Sequence, residues 1–250
     1  MYTLKKSLGQ HFLKDEVVCQ RIVEVLKTCS FTKLLEVGPG GGALSKYLTK
    51  LEGFDFKLIE LDEEKIGYLC KVYPSLEGKI ISGSILDIPV PFQGDFTLIG
   101  NFPYNISTQI VFRVLEWKDQ VTFMIGMFQK EVAIRICSGP GSKEYGILSV
   151  LTQAYFEVDY LFDVDEDAFN PPPKVKSGVI IMKRTGNPYG IVNHRKFASL
   201  VKAAFGQRRK QLRNPLKPYF KPELLKEDIF TKRAEQLSVA DYVGLLNRMQ

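Results

Sequence analysis

The sequence predicts an α/β protein with a mostly parallel β-sheet, followed by a small all-helical domain. Apolar, strand-like runs alternate with helical segments over most of the 250 residues. A glycine-rich loop follows the first of these runs, and an aromatic turn follows the fourth. Strands that alternate with helices form parallel sheets whose two faces are covered by the helices. The pattern becomes helical beyond residue 186, so we predict two domains, residues 1–186 and 187–250.

The predicted strands and helices follow one another in a regular order. Apolar runs predict strands at residues 33–38, 54–61, 79–85, 95–100 and 121–128. Amphipathic segments predict helices at residues 43–51, 63–73 and 108–117, with Ser107 as a candidate cap of the last. A helix and a strand follow within residues 145–164, and a further strand within residues 171–184. In the second domain we predict helices at residues 193–214, 221–228 and 238–249, the last with Ser238 and Asp241 as a capping box.

Composition restricts the class of protein. Hydrophobic residues make up 45% of the chain and charged residues 25%, which is typical of a globular protein with a sizeable core. No apolar run is long enough to span a bilayer, and the N-terminus lacks the apolar centre of a signal peptide. The four cysteines are scattered, and the two histidines, His11 and His194, are far apart. We therefore expect a cytoplasmic protein with reduced thiols, no membrane partner, no metal site and no His-based triad.

A glycine-rich loop, "EVGPGGG", follows the first predicted strand and places Gly38, Gly40 and Gly42 at every second position. Glycine allows a tight turn there and a close approach of the backbone to a ligand at the carboxyl edge of the sheet. Glu60 lies about twenty residues further on, at the end of the second strand, where an acid can bind ribose hydroxyls. The pair fits a nicotinamide cofactor or S-adenosylmethionine, because both carry an adenosine.

The stretch "NFPYNIST", residues 101–108, follows the fourth strand at the same edge of the sheet. An exocyclic amine is a poor nucleophile because its lone pair is delocalised into its ring. The side-chain oxygen of Asn101 and the carbonyl of Pro103 or its neighbour can accept hydrogen bonds from such an amine, while Tyr104 stacks on the ring. Catalysis would then depend on orientation and electrostatics, without a strong base. This turn favours a methyltransferase over a dehydrogenase.

Charge is distributed unevenly along the chain, whose net charge is +6. Residues 168–222 contain 13 of the 34 Lys and Arg residues and none of the 28 Asp and Glu residues. The rest of the chain is therefore net acidic. One-sided charge over so long a stretch predicts a surface that binds a polyanion such as a nucleic acid.

Together these motifs resemble the small-subunit ribosomal RNA adenine dimethyltransferases, an rRNA adenine N(6)-methyltransferase family. The resemblance runs from "KKSLGQHFL" almost to the C-terminus and includes "EVGPGGGAL", "IELD", "NFPYNIST", "QKEVAIRI", "YGILSV", "AFNPPPKVKSGV" and "FGQRRKQLRN". It implies a Rossmann-like class I methyltransferase domain with a small helical C-terminal domain. It also implies the transfer of four methyl groups from S-adenosylmethionine to two adjacent adenosines in the 3′-terminal hairpin of small-subunit rRNA, giving dimethyladenosines during ribosome biogenesis.

The resemblance implies roles for individual residues. The catalytic residues would be Asn101, Pro103, Tyr104 and Phe169, the last of which would pack against the target adenine. The cofactor contacts would fall on His11, Leu13, Gly38, Glu60, Ser84 and Asn101, and Gly40 joins them from the glycine loop. From the basic segment we predict that residues 195–217 bind the rRNA phosphates, with Arg208, Arg209, Lys210 and Arg213 at their centre on a helix that places Arg209 and Arg213 on one face. The partner would be an immature small ribosomal subunit, bound by a monomer.

The chain departs from the family pattern at three of these motifs. His11 stands where Asn is frequent, Ser84 where an Asp usually accepts a hydrogen bond from the adenine amine, and Phe102 where Leu is common. A serine accepts that bond without a charge, so we expect reduced cofactor affinity. The alternatives left open are an erythromycin-resistance-type large-subunit rRNA methylase, a protein-glutamine or DNA adenine methyltransferase, and a non-enzymatic RNA-binding assembly factor.

Overall fold

The computed structural model describes residues 11–250, which form two compact units. The first consists of the described residues up to Ala133 and of Asp159–Arg184, and the second of Ile134–Val158 and Thr185–Gln250. The chain thus leaves the first unit close to the predicted boundary, but residues 134–158 belong to the second unit and not to the first. The predicted division into two consecutive domains therefore does not account for residues 134–158. The functional division at residue 186 stays a prediction, and residues 5–10 of the "KKSLGQHFL" motif lie outside the described residues.

A seven-stranded sheet forms the centre of the fold, in the order β4-β3-β2-β5-β6-β9-β7. The strands are β2 (Lys33–Val37), β3 (Asp55–Glu60), β4 (Ile80–Ser82), β5 (Phe96–Asn101), β6 (Val121–Gln129), β7 (Phe156–Val164) and β9 (Ser177–Arg184). The pairs from β4 to β6 are parallel, and β9 runs antiparallel to β6. The predicted mostly parallel sheet is therefore confirmed. The order reverses on either side of β2, which creates a crevice at the carboxyl ends of β2 and β5.

The central strands are apolar because helices cover both faces of the sheet. Leu34, Leu35, Leu98 and Ile99 are fully buried on β2 and β5. Strands buried on two sides read as continuous apolar runs and not as alternating ones, which is why these strands were readable from the sequence. A separate two-stranded ribbon pairs β1 (Phe12–Leu13) with β8 (Phe169–Asn170).

Eight α-helices lie within residues 11–250. They are α1 (Glu16–Lys27), α2 (Ser45–Leu48), α3 (Glu63–Val72), α4 (Ser107–Glu116), α5 (Lys130–Cys137), α6 (Ile147–Gln153), α7 (His194–Gly206) and α8 (Val239–Leu246). In this part of the chain, we find no helix that combines the length and the apolar character needed to cross a membrane. The capping box of α8 is confirmed: the hydroxyl of Ser238 accepts from the Asp241 amide, and the Asp241 carboxylate accepts from the Ser238 amide.

Several helices are shorter than predicted. α2 spans four residues, and residues 221–228 form short 3₁₀ turns instead of an α-helix. Ser107 is the first residue of α4 and not its cap, because its hydroxyl donates to the carbonyl of Tyr104 at 3.1 Å. α7 ends at Gly206, and further along the chain the amides of Leu212 and Arg213 donate to the carbonyls of Lys232 and Phe230 and not to helical partners.

Two glycines in neighbouring strands make room for Phe102. Gly100 on β5 and Gly126 on β6 are register partners, and the buried ring of Phe102 lies over both. A Cβ at Gly126 would lie 2.2 Å from the Phe102 ring, and one at Gly100 would lie 2.7 Å from it. The ring also packs edge-on against Phe128, with centroids 5.0 Å apart. The glycine pair therefore anchors Phe102, which is flanked by two of the predicted catalytic residues.

We predict that Gly126→Ala destabilises the protein by about 1–3 kcal/mol, because the added methyl group overpacks a buried ring. Urea unfolding measures the change. Gly67→Ala is the control: Gly67 lies inside α3 with open space around its Cα, so alanine there should stabilise the helix by about 0.5–1 kcal/mol. Adding Phe102→Leu to Gly126→Ala should recover part of the loss, since leucine is smaller. Equal stability of Gly126→Ala and the wild type would contradict this account.

Candidate active site

A cavity of about 250 Å³ lies at the carboxyl ends of β2, β3 and β5. Its walls come from β1, the glycine loop after β2, the end of β3 and the turn after β5. Parallel α/β sheets bind their ligands in this crevice. The structure brings together there eight of the predicted site residues: His11, Leu13, Gly38, Gly40, Glu60, Asn101, Pro103 and Tyr104.

The glycine loop forms one wall of the cavity with its backbone. Gly38, Gly40 and Gly42 all have positive φ, of 67°, 56° and 83°. A Cβ at Gly40 would lie 3.0 Å from the ring of Phe12, in a conformation that residues with side chains rarely adopt. Glycine is therefore required at Gly40 both for the turn and for the approach of Phe12.

Glu60 ties the glycine loop to the end of β3. One of its carboxylate oxygens accepts from the amides of Leu61 and Asp62, at 2.9 and 3.0 Å, and the other accepts from the Gly40 amide at 3.1 Å. A carboxylate offers about four acceptor positions, so these three bonds leave it able to bind a further hydroxyl. The side chain is buried and lines the cavity.

Asn101 ends β5 and is held by the N-terminal segment. Its side-chain amide nitrogen donates to the carbonyl of His11 at 3.2 Å. This bond engages the NH₂ group of the amide and leaves the Oδ1 oxygen as an acceptor. The side chain lines the cavity, so the arrangement presents an oriented acceptor to a donor group that enters it.

Tyr104 is fixed by contacts on two sides. Its ring packs on His11, with centroids 5.4 Å apart, and its hydroxyl hydrogen-bonds the hydroxyl of Ser177. His11 is held in turn, because its Nδ1 donates to the carbonyl of Pro171 at 2.9 Å. Burial raises the pKa of Tyr104 above its ordinary value, so the phenol remains neutral at physiological pH. Tyr104 therefore contributes an uncharged aromatic surface to the cavity and does not act as a base.

Two predicted site residues do not line this cavity. The Ser84 hydroxyl accepts from the Leu86 amide at 3.1 Å in the turn after β4. Phe169 is 1% exposed in the core and pairs with Leu13 across the β1–β8 ribbon. Neither side chain is therefore part of the cavity wall. Their assigned roles stay predictions.

The predicted rRNA-binding residues lie in the second unit. Arg208 donates to the carbonyl of Lys143 at 2.5 Å, and its Nε lies 3.8 Å from the Glu235 carboxylate, so it braces a loop of its own unit. Arg209, Lys210 and Arg213 are exposed. The prediction that these residues lie on a helix is wrong, because α7 ends at Gly206, and the shared helical face of Arg209 and Arg213 is therefore lost.

Comparison with known proteins identifies the family. A family model described as ribosomal RNA adenine dimethylase matches residues 1–250. The chain is a member of the ribosomal RNA adenine dimethylase family. It is 49% identical to the ribosomal RNA small subunit methyltransferase A of Parabacteroides distasonis, over 96% of this chain and 92% of the relative. It is 50% identical to the protein of the same name in Flavobacterium johnsoniae, over 98% and 95%.

Solved structures agree with the family at the level of the fold. A dimethyladenosine transferase from Plasmodium falciparum superposes with a TM-score of 0.82 at 23% identity, covering 96% of this chain and 99% of that one. The 23S rRNA methyltransferase ErmE superposes with a TM-score of 0.73 at 22% identity, covering 95% and 99%. The predicted Rossmann-like methyltransferase fold is therefore confirmed.

S-adenosylmethionine is the methyl donor of the dimethylase family, and the cavity residues fit it. Glu60 retains an acceptor position for a ribose hydroxyl, and the glycine loop admits a ligand close to the backbone. Two buried carboxyl groups, Glu36 and Glu60, line the space.

Sequence reasoning missed Glu36, which lies on β2 just before the glycine loop. It is 1% exposed and lines the cavity, and one of its oxygens accepts from the Ser45 hydroxyl at 2.7 Å. Burial raises the pKa of Glu36 to about 8, against the lowering effect of the Ser45 hydrogen bond, and the charge of Glu60 raises it further. A carboxyl residue inside an otherwise apolar strand was the signal that could have revealed it.

The raised pKa of Glu36 predicts a loss of stability as the pH rises. Its ordinary pKa is 4.5 and its folded pKa is about 8, so the folded state binds the proton more tightly. This contribution is complete below pH 4.5 and disappears as the pH rises towards 8, by about 1.4 kcal/mol per pH unit for one proton. Urea unfolding from pH 5 to 9 should therefore show a decline in the wild type that Glu36→Gln lacks. Parallel pH profiles of the two proteins would contradict the assignment.

Proposed function

We propose that this chain transfers methyl groups from S-adenosylmethionine to the exocyclic amines of two adjacent adenosines in the 3′-terminal hairpin of small-subunit rRNA, yielding dimethyladenosines. The observation that carries the proposal is the oriented amide of Asn101 beside Tyr104, at the mouth of a glycine-loop cavity in a chain of the dimethylase family. The relatives named as small subunit methyltransferases cover nearly the whole chain at about half identity. That similarity favours the small subunit over the large subunit as the substrate.

The residues of the chain act mainly by orientation. S-adenosylmethionine supplies an electrophilic methyl group on its sulfonium. The Oδ1 of Asn101 accepts a hydrogen bond from the adenine amine, together with the carbonyl of Pro103 or its neighbour. These acceptors favour a pyramidal nitrogen whose lone pair is directed at the methyl group. Tyr104, held by His11 and Ser177, provides a face on which the adenine stacks.

The target base must leave its stack to enter the cavity, and stacking on Tyr104 offsets part of that cost. Phe169 would form the second face if the core around the β1–β8 ribbon opens when RNA binds. Ser84 would accept a hydrogen bond from the adenine amine of the cofactor, from the turn after β4 that Gly83 joins to Glu60. Both roles remain part of the proposal, and that of Phe169 requires movement from the described geometry.

RNA affinity would come from the second unit. Arg209, Lys210 and Arg213 present exposed charges that can contact phosphates, while Arg208 supports them by bracing the loop at Lys143. A-form RNA hides its base edges in a deep groove, so this surface would recognise shape and backbone. We propose that the protein works as a monomer on immature small subunits in the cytoplasm.

Labelled methyl transfer to small subunits that lack the modification, followed by mapping of the methylated bases, tests the function. We expect label on two adjacent adenosines near the 3′ end, and none on large-subunit rRNA, DNA or protein offered in parallel. Label on large-subunit rRNA would favour an erythromycin-resistance-type methylase. Particle binding without transfer would favour a non-enzymatic assembly factor. Either result would overturn the proposal.

Asn101→Ala should reduce methyl transfer by at least a hundredfold while RNA binding persists, because it removes an oriented acceptor that stabilises the reacting amine (about 3 kcal/mol or more). Single-turnover transfer and a binding titration measure the two effects. Asn105→Ala is the matched control, since Asn105 is exposed and belongs to the same turn. Turnover near the wild-type value in Asn101→Ala would show that Asn101 is not the acceptor.

The double variant Arg209→Glu, Arg213→Glu should weaken RNA binding and flatten its salt dependence. Each lost phosphate contact lowers the slope of log affinity against log salt by somewhat under one unit. Lys71→Glu with Lys79→Glu is the control, because both lysines are exposed in the first unit and the change in net charge is equal. Titrations at several salt concentrations measure the slopes. A wild-type slope in the arginine variant would place the RNA elsewhere.

A further inference from the structure

The cavity contains a buried carboxyl group to which the proposed chemistry assigns no role. Glu36 lies on β2, where Ile99 of β5 is its register partner, and its side chain forms part of the cavity wall. Its carboxyl accepts from the hydroxyl of Ser45, which is itself fully buried at the start of α2, and the backbone amide of Ser45 also favours its charged form. Hydrogen bonds from the neutral groups of one residue compensate poorly for the burial of a charged carboxylate, and burial remains the largest influence on Glu36.

The electrostatic surroundings of Glu36 oppose its ionisation when the cavity holds no cation. The charge of Glu60 from β3 disfavours a second negative charge. Lys46 of α2 forms an ion pair with Glu16 of α1 at the cavity wall. The other titratable groups of the wall include His11, Tyr73 and Lys65 of α3, whose ammonium lies 4.9 Å from the Phe12 ring centroid. In this setting Glu36 retains its proton at neutral pH, in keeping with its pKa of about 8.

The methyl donor and its product differ by one charge. In S-adenosylmethionine the amino and carboxylate charges cancel, and the sulfonium adds a permanent positive charge. S-adenosylhomocysteine has lost that charge together with the methyl group. A buried carboxylate interacts strongly with such a charge, because the low dielectric of the cavity screens it little. A neutral carboxylic acid distinguishes the two molecules far less.

We propose that Glu36 ionises when the sulfonium donor binds and takes up a proton when only the neutral product is present, so that the cavity prefers donor to product. This inference rests on the proposed use of S-adenosylmethionine. The proton moves to water when the donor binds and returns from water after transfer, so charge is balanced at each stage. Glu36 would then be a specificity-determining residue that favours exchange of spent cofactor between successive methylations.

Calorimetric titration with S-adenosylmethionine and with S-adenosylhomocysteine, in buffers of different ionisation enthalpy, counts the protons released. With a pKa of about 8, roughly 0.9 of a proton should leave Glu36 at pH 7 when the donor binds, and almost none at pH 9.5. Subtracting the release measured with Glu36→Gln removes the contributions of the ligand amine and of other groups. The product should cause little release in either protein.

Three variants separate this role from a structural one. Glu36→Gln should weaken donor binding about tenfold or more (about 1.4 kcal/mol) and change product binding less than threefold. Ser45→Ala keeps the carboxyl but removes a bond to its charged form, so the pH of half-maximal release should rise by roughly one unit. Glu52→Gln, an exposed acid outside the cavity wall, should behave as the wild type.

The outcomes are distinguishable. If the wild type binds the donor without excess proton release, and Glu36→Gln weakens donor and product equally, Glu36 serves only to hold α2 and the inference is wrong. If the folded wild type binds neither ligand, the proposed function itself fails. If Glu36→Gln does not fold, the wild-type pH series and the shift in Ser45→Ala decide the question.

Discussion

The site depends on the hydrogen bonds that the carboxylate of Glu60 accepts from the backbone. Its three backbone hydrogen bonds join the end of β3 to the glycine loop after β2, and both segments line the cavity. Because Gly40 has positive φ and lies against Phe12, the loop has little freedom to adjust to a misplaced partner. The shape of this part of the cavity is thus set by one buried acid and by backbone geometry.

The "NFPY" turn is positioned by packing against the sheet. Phe102 occupies the space that Gly100 and Gly126 leave open on neighbouring strands, which holds Asn101 at the end of β5. The backbone carbonyl of His11 then orients the side-chain amide of Asn101 by accepting a hydrogen bond from it. Methyl transfer to a weak nucleophile depends on orientation, so a rigid scaffold under this turn is a condition of the proposed chemistry. The residues that hold this turn, namely His11 and the glycine pair Gly100 and Gly126, come from segments that are distant in the sequence.

Local features explain where prediction from the sequence succeeded and failed. The buried strands, the glycine loop, Glu60 and the capping box at Ser238 all follow from patterns confined to a few residues. The lengths of α2 and α7 were overestimated, because helical periodicity does not show where backbone amides find partners in another segment, as Leu212 and Arg213 do. For the same reason the predicted continuation of α7 through the basic residues beyond Gly206 is wrong.

By itself, the sequence determined the sheet, its mostly parallel direction and the family, because apolar runs and motifs are local and ordered along the chain. Tertiary structure alone decided the surroundings of each side chain. It placed Glu36 in the cavity and Phe169 in the core, and it joined residues 134–158 to the second unit. Burial and hydrogen bonding of this kind arise between segments far apart in the chain, so no spacing within one segment reveals them.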